Sequence, residues 1–451
     1  MPEIIADNIS IVETKELEGA TRLEAEYYNK PSFIVNNFLK GGKIIDYVQY
    51  GTSEDLNEKL KGYPVLRLNE FDGSFIGSPS KYCNKITSEV FNKLVLKEGD
   101  ILVCRTNGNP KLVGKSAVVM EDANMAFASY LFRVRPKASL INSTTLSVYL
   151  NSCIGRREIE RNLMVSNQAN FSPDKFRDIK VPLFSSEFQA IIDNIVHRAY
   201  LNHKCSKLLY SQAEALLLEE LNIKNVDLSH EPCYEVNSVD TIAANRIDAE
   251  YYQPKYERVI EAIRKNNHKL LTHFIKEYST GYPFSSKSYL EKGIPLIRIN
   301  NIQKGQLGLQ DVVYIKESDI NLSPRDVVIT NDIVISMSGT IGASAVIDEF
   351  IGKAIINQRI LKIRLKDIDA DYLCLVLNSI IGSMQFNRIG TGGVQTNISY
   401  KDMKNILIPL CNKKLEIANL IRQSHSARCQ AKELLEQAKR KVEDMIEKGR
   451  A

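Results

Sequence analysis

The chain has 451 residues, 44% of them hydrophobic and 25% charged, with 23 Gly and 14 Pro; this leaves room for about two to four domains and excludes disordered, collagen-like and disulfide-scaffold classes. A net charge of +5, from 59 Lys and Arg against 54 Asp and Glu, is too mild to hold nucleic acid by bulk attraction, so such a partner requires charge concentrated locally. The eight cysteines, at 83, 104, 153, 205, 233, 374, 411 and 429, stand singly without a CxxC pair, which argues for reduced thiols and against zinc or a disulfide framework.

In chain order, the opening MPEIIADNIS is acidic where a signal peptide is basic and then apolar, and no run approaches the roughly 18 apolar residues of a spanning helix. A cytoplasmic protein with no membrane segment is expected. RLEAEYY follows at 22 to 28, then short β-branched stretches, VLRL at 65 to 68, ILVC at 101 to 104, SAVV at 116 to 119 and LFRV at 131 to 134, broken by Gly, Asn and Pro turns. They predict a strand-rich globular domain. Residues 101 to 180 hold twelve Lys and Arg against six Asp and Glu, a local surplus that fits either a solvated face or a nucleic-acid footprint. After Pro182, apolar residues at Phe188, Ile191, Ile192, Ile195, Val196, Ala199, Leu208, Leu209, Ala213, Leu216 and Leu217 predict one long helix.

The rest of the chain repeats this order. RIDAEYY at 246 to 252 answers RLEAEYY, so that Arg22, Glu26, Tyr27 and Tyr28 return as Arg246, Glu250, Tyr251 and Tyr252. GYPVLRLN at 62 to 69 returns as GIPLIRIN at 293 to 300, GDILV at 99 to 103 as NDIVI at 331 to 335, QANFS at 168 to 172 as QTNIS at 395 to 399, and IKVPL at 179 to 183 as ILIPL at 406 to 410. A second long helix is predicted after Pro409 from Leu420, Ile421, Ala427, Leu434, Leu435, Ala438 and Val442. The offset stays between 224 and 232, so the protein is one unit duplicated, about 1 to 225 and 226 to 451. A helix of about 35 residues is about 50 Å long, more than one such globule needs, and the other copy's helix is the natural partner for its apolar stripe.

The twofold alternation of strand-rich domain and long helix, with R-x-[E/D]-AEYY, the Gly/Asn-Asp-Ile strand, SGTIG at 338 to 342, GGVQTNIS at 392 to 399 and the I-x-[V/I]-P-L junction before each helix, resembles the specificity subunit of type I restriction-modification systems. The resemblance covers nearly the whole chain. It implies an α+β architecture of two pseudo-twofold-related target recognition domains on two long antiparallel, coiled-coil-like spacer helices: recognition domains at 1–184 and 246–411, spacer helices at 185–222 and 412–448, a linker at 223–245. It further implies a non-catalytic, cofactor-free reader of a bipartite, gapped site in double-stranded DNA, docked to two methyltransferase subunits and joined by a restriction/translocase subunit.

The duplication also sorts candidate site residues. A residue identical in both copies cannot by itself distinguish two half-sequences, so Gln168/Gln395, Asn170/Asn397 and Ser172/Ser399 suit either phosphate contact or a structural tie, Ser being a natural helix cap. Arg67 and Asn69, repeated as Arg298 and Asn300, sit at alternate positions of a predicted strand and would share a face, for DNA contact or for a salt bridge on the sheet. The divergent stretch CRTNGNPKLVGKS at 104 to 116, against SMSGTIGAS at 336 to 344, is four residues longer in the first copy. It brings Arg105, Thr106, Asn107, Asn109, Lys111 and Lys115 as base-reading candidates where the second copy offers Ser336, Ser338 and Thr340; the alternative is a turn whose glycines only reverse the chain. Arg156, Arg157 and Arg161 read as a solvated helix face, and the adjacent tyrosines of both copies as core.

Other chemistries find little support. The GKS at 114 to 116 has five residues between Gly108 and Gly114 where a phosphate loop has four, and a strand pattern follows instead of a helix. No Pro-Pro dipeptide offers a base-methylation loop, SPDK at 172 to 175 lacks the further acidic-x-Lys of a metal nuclease, and the six histidines form neither an i,i+4 pair nor a cluster with cysteine. A single-chain DNA-modifying enzyme with unrecognised residues and a protein-only scaffold stay open as alternatives.

Overall fold

The β-branched stretches of the two copies build the same antiparallel sheet twice. The computed structural model describes residues 3–6, 9–11, 37–163, 169–309, 311–348, 351–390 and 397–449. In the first copy the sheet is made by β1 (Ile45–Tyr50), β3 (Ile101–Cys104), β4 (Ser116–Val118) and β5 (Leu131–Pro136), in the order β1-β5-β3-β4, extended by a small hairpin at 71 to 76. β2 (Tyr63–Leu66) lies in a separate three-stranded sheet, parallel to Ala126–Phe127. In the second copy β6 (Ile275–Ser279), β8 (Ile333–Ser336), β9 (Ser344–Val346) and β10 (Ile360–Leu365) take the same order, β6-β10-β8-β9, and β7 (Ile294–Ile297) pairs parallel with Ala354–Ile356 as β2 does with its neighbour.

One buried carboxylate explains the repeated Asp-Ile pair. Asp100, at the start of β3, is fully buried and accepts from Arg133 at 3.0 Å and, through its other oxygen, from Arg135 at 2.9 and 2.7 Å, both on the neighbouring β5. Asp332, at the start of β8, accepts from Arg364 of β10 at 3.0 and 3.1 Å. A charge so enclosed is tolerable only with such partners, so the acid and the cations of the next strand form one structural element.

The two long helices are α1 (Ser186–Glu220) and α2 (Lys414–Glu447). By internal contacts the chain divides into one unit of residues 1–204 and 427–451 and another of 205–426, so the folding units do not coincide with the sequence copies: each takes one strand-rich part and a stretch of both helices. In the first unit Phe188, Ile192, Ile195, Val196 and Ala199 of α1 join Ala438, Val442 and Ile446 of α2 in one core with the sheet. In the second, Ala213 and Leu217 of α1 meet Ile417, Ala418 and Ile421 of α2. There Ser206 pairs with Ser424 at 3.1 Å and Glu220 with Lys413 at 3.0 Å, so the numbering falls along one helix as it rises along the other, and the pair is antiparallel. Ile191 and Leu208, expected on the apolar stripe, are 49% and 58% exposed; each is rotated off the stripe that the 3.6-residue period carries through Phe188, Ile192, Ile195 and Ala199.

Each unit also contains a pair of short helices that strand patterning did not suggest, Ser143–Asn151 with Cys153–Arg161 and Ala370–Asn378 with Ile380–Ile389. They fill the space behind the sheet. Among the described residues no helix is long and apolar enough to cross a membrane, and no three His, Cys, Asp or Glu side chains gather as a metal site would require.

Candidate nucleic-acid interface

The two kinds of candidate segment, one shared by the copies and one divergent, are brought together in both units. After β3, Thr106 forms an isolated bridge with Asn170 and its hydroxyl donates to the Ala169 carbonyl at 3.2 Å, while the Phe171 N–H donates to the Arg105 carbonyl at 2.7 Å. After β8, Ser338 bridges Asn397, and the Ile398 N–H donates to the Met337 carbonyl at 3.0 Å. The repeated Asn-x-Ser segment is therefore a backbone platform under the divergent loop. Its serines act as helix caps: Ser172 Oγ accepts from Lys175 N–H and Ser399 Oγ from Asp402 N–H, each satisfying an orphan donor of a first turn. Gln168 and Gln395 lie outside the described residues, as do Arg22, Glu26, Tyr27 and Tyr28.

The loops close on equivalent bonds. Gly114 N–H donates to Cys104 O, and Gly342 N–H to Ser336 O, both at 2.8 Å; nine residues lie between the first pair and five between the second. The first loop is internally braced. The Asn107 and Asn109 carboxamides accept from Asn109 N–H and Lys111 N–H at 2.8 and 3.1 Å, and Arg156 Nη2 donates to the Lys111 carbonyl at 3.0 Å. Asn109 and Lys111 are exposed, with Thr106, Asn107 and Lys115 half-buried. The guanidinium of Arg105 lies 5.3 Å from the centre of the Tyr50 ring, which is 45% exposed, and its Nε is buried without a hydrogen-bond partner. Asn170 Oδ1 is likewise buried and unmatched. In the second loop Thr340 is exposed, but Ser336 and Ser338 are buried, with the Ser336 hydroxyl donating to the Ser338 carbonyl at 2.7 Å. Both are committed to the turn, and in this conformation Thr340 alone of the three presents its hydroxyl outward.

Three expectations are corrected by local geometry. Arg67 and Asn69 do not share a strand face: β2 ends at Leu66, and Leu68–Glu70 is a 3-10 turn, as Ile299–Asn301 is after β7. The cause is a side chain folding back on the backbone, Glu70 accepting from Arg67 N–H at 2.7 Å and Asn301 from Arg298 N–H at 2.9 Å. Asn69 and Asn300 project to solvent from these turns. Arg67 is held in an ion pair with Glu70 at 3.0 Å, shared with Ser80, and Arg298 Nη2 donates to the Asp311 carbonyl at 2.8 Å. Burial works against ionisation of Glu70, yet bonds from Ser80 and Arg67 outweigh it and hold the carboxyl below its ordinary range. Second, Arg156, Arg157 and Arg161 are not one solvated face: Arg161 is buried beside Glu158 and Arg156 holds the first loop. Third, Tyr251 and Tyr252 are half-buried rather than core. Arg246 and Arg388 lie 4.5 and 4.8 Å from the Tyr251 ring centre, and Arg246 donates to the Ile389 and Gly390 carbonyls, so the Arg-Ile-Asp-Ala-Glu-Tyr-Tyr segment at 246 to 252 fastens the start of the second copy onto a helix end.

Sequence reasoning missed Tyr50, whose exposed aromatic face carries Arg105, and Arg359, which sits beside the second loop; neither belongs to a motif shared by the copies.

These features define a duplicated α+β protein that mounts two unlike loops on one repeated backbone frame. Residues 255–424 match the family described as the type I restriction modification DNA specificity domain. The chain is 23% identical to the type I restriction enzyme MjaVIII specificity subunit of Methanocaldococcus jannaschii, over 90% of this chain and 92% of that relative. Among solved structures it is similar to the type I restriction-modification S subunit of M. genitalium, at 12% identity and a TM-score of 0.40, covering 92% of this chain and 96% of that one. It is similar too to the HsdS subunit of Thermoanaerobacter tengcongensis, at 13% identity and a TM-score of 0.29, with 92% and 96% covered. Residues 255–424 thus match the type I restriction modification DNA specificity domain, and along nearly its whole length the chain is similar to a type I restriction enzyme specificity subunit.

Proposed function

We propose that the chain reads a bipartite, gapped site in double-stranded DNA, each half contacted by one loop cluster, and that it performs no catalytic step itself. Residues 1–184 and 246–411 serve as the recognition domains, 185–222 and 412–448 as the spacer helices, and 223–245 as the linker. Two methyltransferase subunits dock on the chain, and a restriction/translocase subunit joins for cleavage. The observation that carries this reading is the pairing of an identical hydrogen-bond frame with unlike loops, nine residues including Arg105 and Lys111 in one unit and five uncharged residues in the other. A scaffold for two copies of one protein has no use for such divergence, whereas a reader of two different half-sequences requires it.

In the role assignment, Arg105, Thr106, Asn107, Asn109, Lys111, Lys115, Asn69, Asn300 and Thr340 face DNA, the loop residues toward base edges. Asn170, Asn397, Ser336 and Ser338 act from behind by fixing the loops, and Arg67 and Arg298 by fixing the turns beside them. Neither sequence copy is strongly basic, at +1 and +4, so affinity rests on these local groups and falls steeply with salt. The test is selection from random duplexes with the complex purified from its host. Enrichment of one bipartite sequence is expected; no enrichment refutes DNA reading, and turnover of DNA by the chain alone with Mg²⁺ or a methyl donor refutes the non-catalytic role.

A further inference from the structure

One backbone hydrogen bond beside each loop joins the same two positions in both units, but the residues at those positions differ. In the first unit Arg105 N–H donates to the Tyr130 carbonyl at 2.8 Å; in the second, Met337 N–H donates to the Arg359 carbonyl at 3.0 Å. The flanking strands have one register, Leu131 opposite Cys104 and Ile360 opposite Ser336. Tyr130 and Arg359 are therefore equivalent, as are Arg105 and Met337. Each unit has one arginine at this pair, on opposite sides of the bond.

Arg359 stands out on three grounds. Its φ is +65°, in the left-handed region that side chains bearing a Cβ enter at a cost. Of the six non-glycine residues with positive φ among the described residues, four are Asn or Asp, which adopt that conformation readily, and the remaining two are Leu60 and Arg359. The side chain is exposed, and among the described residues it has no ion pair or side-chain hydrogen bond. It also adjoins a loop that carries no charge of its own, Met337 to Ile341, while the nearby cations Arg298 and Lys362 are engaged with backbone carbonyls. A turn needs only Gly or Asn at such a position, so the arginine serves something other than the fold.

We propose that Arg359 is the base-reading arginine of the second unit, matching in its half-site the part Arg105 plays in the first. The inference rests on the DNA-reading function proposed above. The guanidinium is a fork of donors that fits O6 and N7 of guanine in the major groove. Because the two arginines leave from opposite sides of one hydrogen bond, they address different positions of their half-sites, and the two half-sites are unlike sequences rather than copies.

The test compares wild type, Arg359→Gly and Arg359→Lys, each purified from the host with its accompanying subunits and used to select from random duplexes. Glycine removes the guanidinium and at the same time relieves the left-handed backbone, so misfolding does not explain a loss of recognition. Expected for Arg359→Gly are an unfolding midpoint equal to or above wild type and a roughly tenfold or greater loss of preference at one base position in one half-site, with the other half-site unchanged. Arg359→Lys keeps the charge and relaxes that same position. A wild-type complex that selects no sequence refutes DNA reading itself. If wild type selects a site, the assignment of Arg359 is overturned by unchanged base preferences in Arg359→Gly, by full preference in Arg359→Lys, or by a uniform loss over all sequences, which marks a phosphate contact.

Discussion

Replacing Asp100 by Ala tests whether the acid shared by both sheets is structural. The carboxylate is fully buried and balances Arg133, which is 3% exposed, as well as the more open Arg135. Stranding one partner of a buried pair costs about 3–5 kcal/mol, because the other charge stays enclosed. Two features place this site at the lower end. Arg133 keeps its bonds to the Val95 and Lys93 carbonyls, both at 2.8 Å, and to the Gln49 side chain, and Arg135 is 42% exposed and can be rehydrated. With about 3 kcal/mol lost from a unit of some 230 residues, at about 2–4 °C per kcal/mol, the first unit should melt about 6–12 °C lower. The chain contains 20 Tyr and no Trp, so calorimetry or near-ultraviolet circular dichroism of the tyrosines follows the transition. The second unit's transition, which rests on Asp332 and Arg364, should not move. A shift below about 2 °C in Asp100→Ala, worth under about 1 kcal/mol, would show that water reaches the pair and refute the reasoning.

Three further outcomes follow from particular side chains. Burial, reinforced by the neighbouring Asp369 carboxylate and opposed by Arg422, pushes the Asp371 carboxyl up to about 6 from an ordinary 3.8. The folded protein then binds this proton more tightly than the unfolded chain, so the site loses stability as pH rises from about 4 to about 6 and stays level above. Asp371→Asn should therefore melt higher than wild type at pH 8, with the difference vanishing near pH 4, as thermal scans across that range would report. Gly342 has φ +77° and a Cβ there would lie 2.1 Å from the ring of the fully buried Phe386, so Gly342→Ala should cost about 2–4 kcal/mol in strain and overpacking. Gly73, at φ +68° with nothing within 4 Å, supplies the comparison: its Ala variant should lose about 1 kcal/mol in urea unfolding, for strain alone. Arg105→Ala removes no buried ion pair and should leave the melting temperature within about 2 °C while weakening binding of the preferred duplex roughly tenfold; equal affinities in gel shifts would exclude Arg105 from the interface.

What the amino-acid sequence determined by itself was the periodic and repeated part of this protein. The long helices were legible because their apolar residues recur at helical spacing from Phe188 to Leu217 and from Leu420 to Val442, and the duplication because motifs such as Gly-x-Pro and Asn-x-Ser return in unchanged order. The short helices behind each sheet were not, since Ser143–Asn151 and Ala370–Asn378 are buried almost all round and so have no polar face to set a period. Arg67 looked like a strand residue until the Glu70 side chain, returning to its N–H, ended the strand. The candidate interface depended still more on tertiary structure. Thr106 and Asn170 are 64 residues apart in the chain and become one site only through the register of the sheet. Arg359 falls outside every shared motif, and its place became visible only when a single hydrogen bond aligned it with Tyr130 and its backbone proved left-handed. Local patterns record what a residue buries along its own helix or strand; which loops meet, and which cations remain without partners, is decided by long-range pairing that no local pattern encodes.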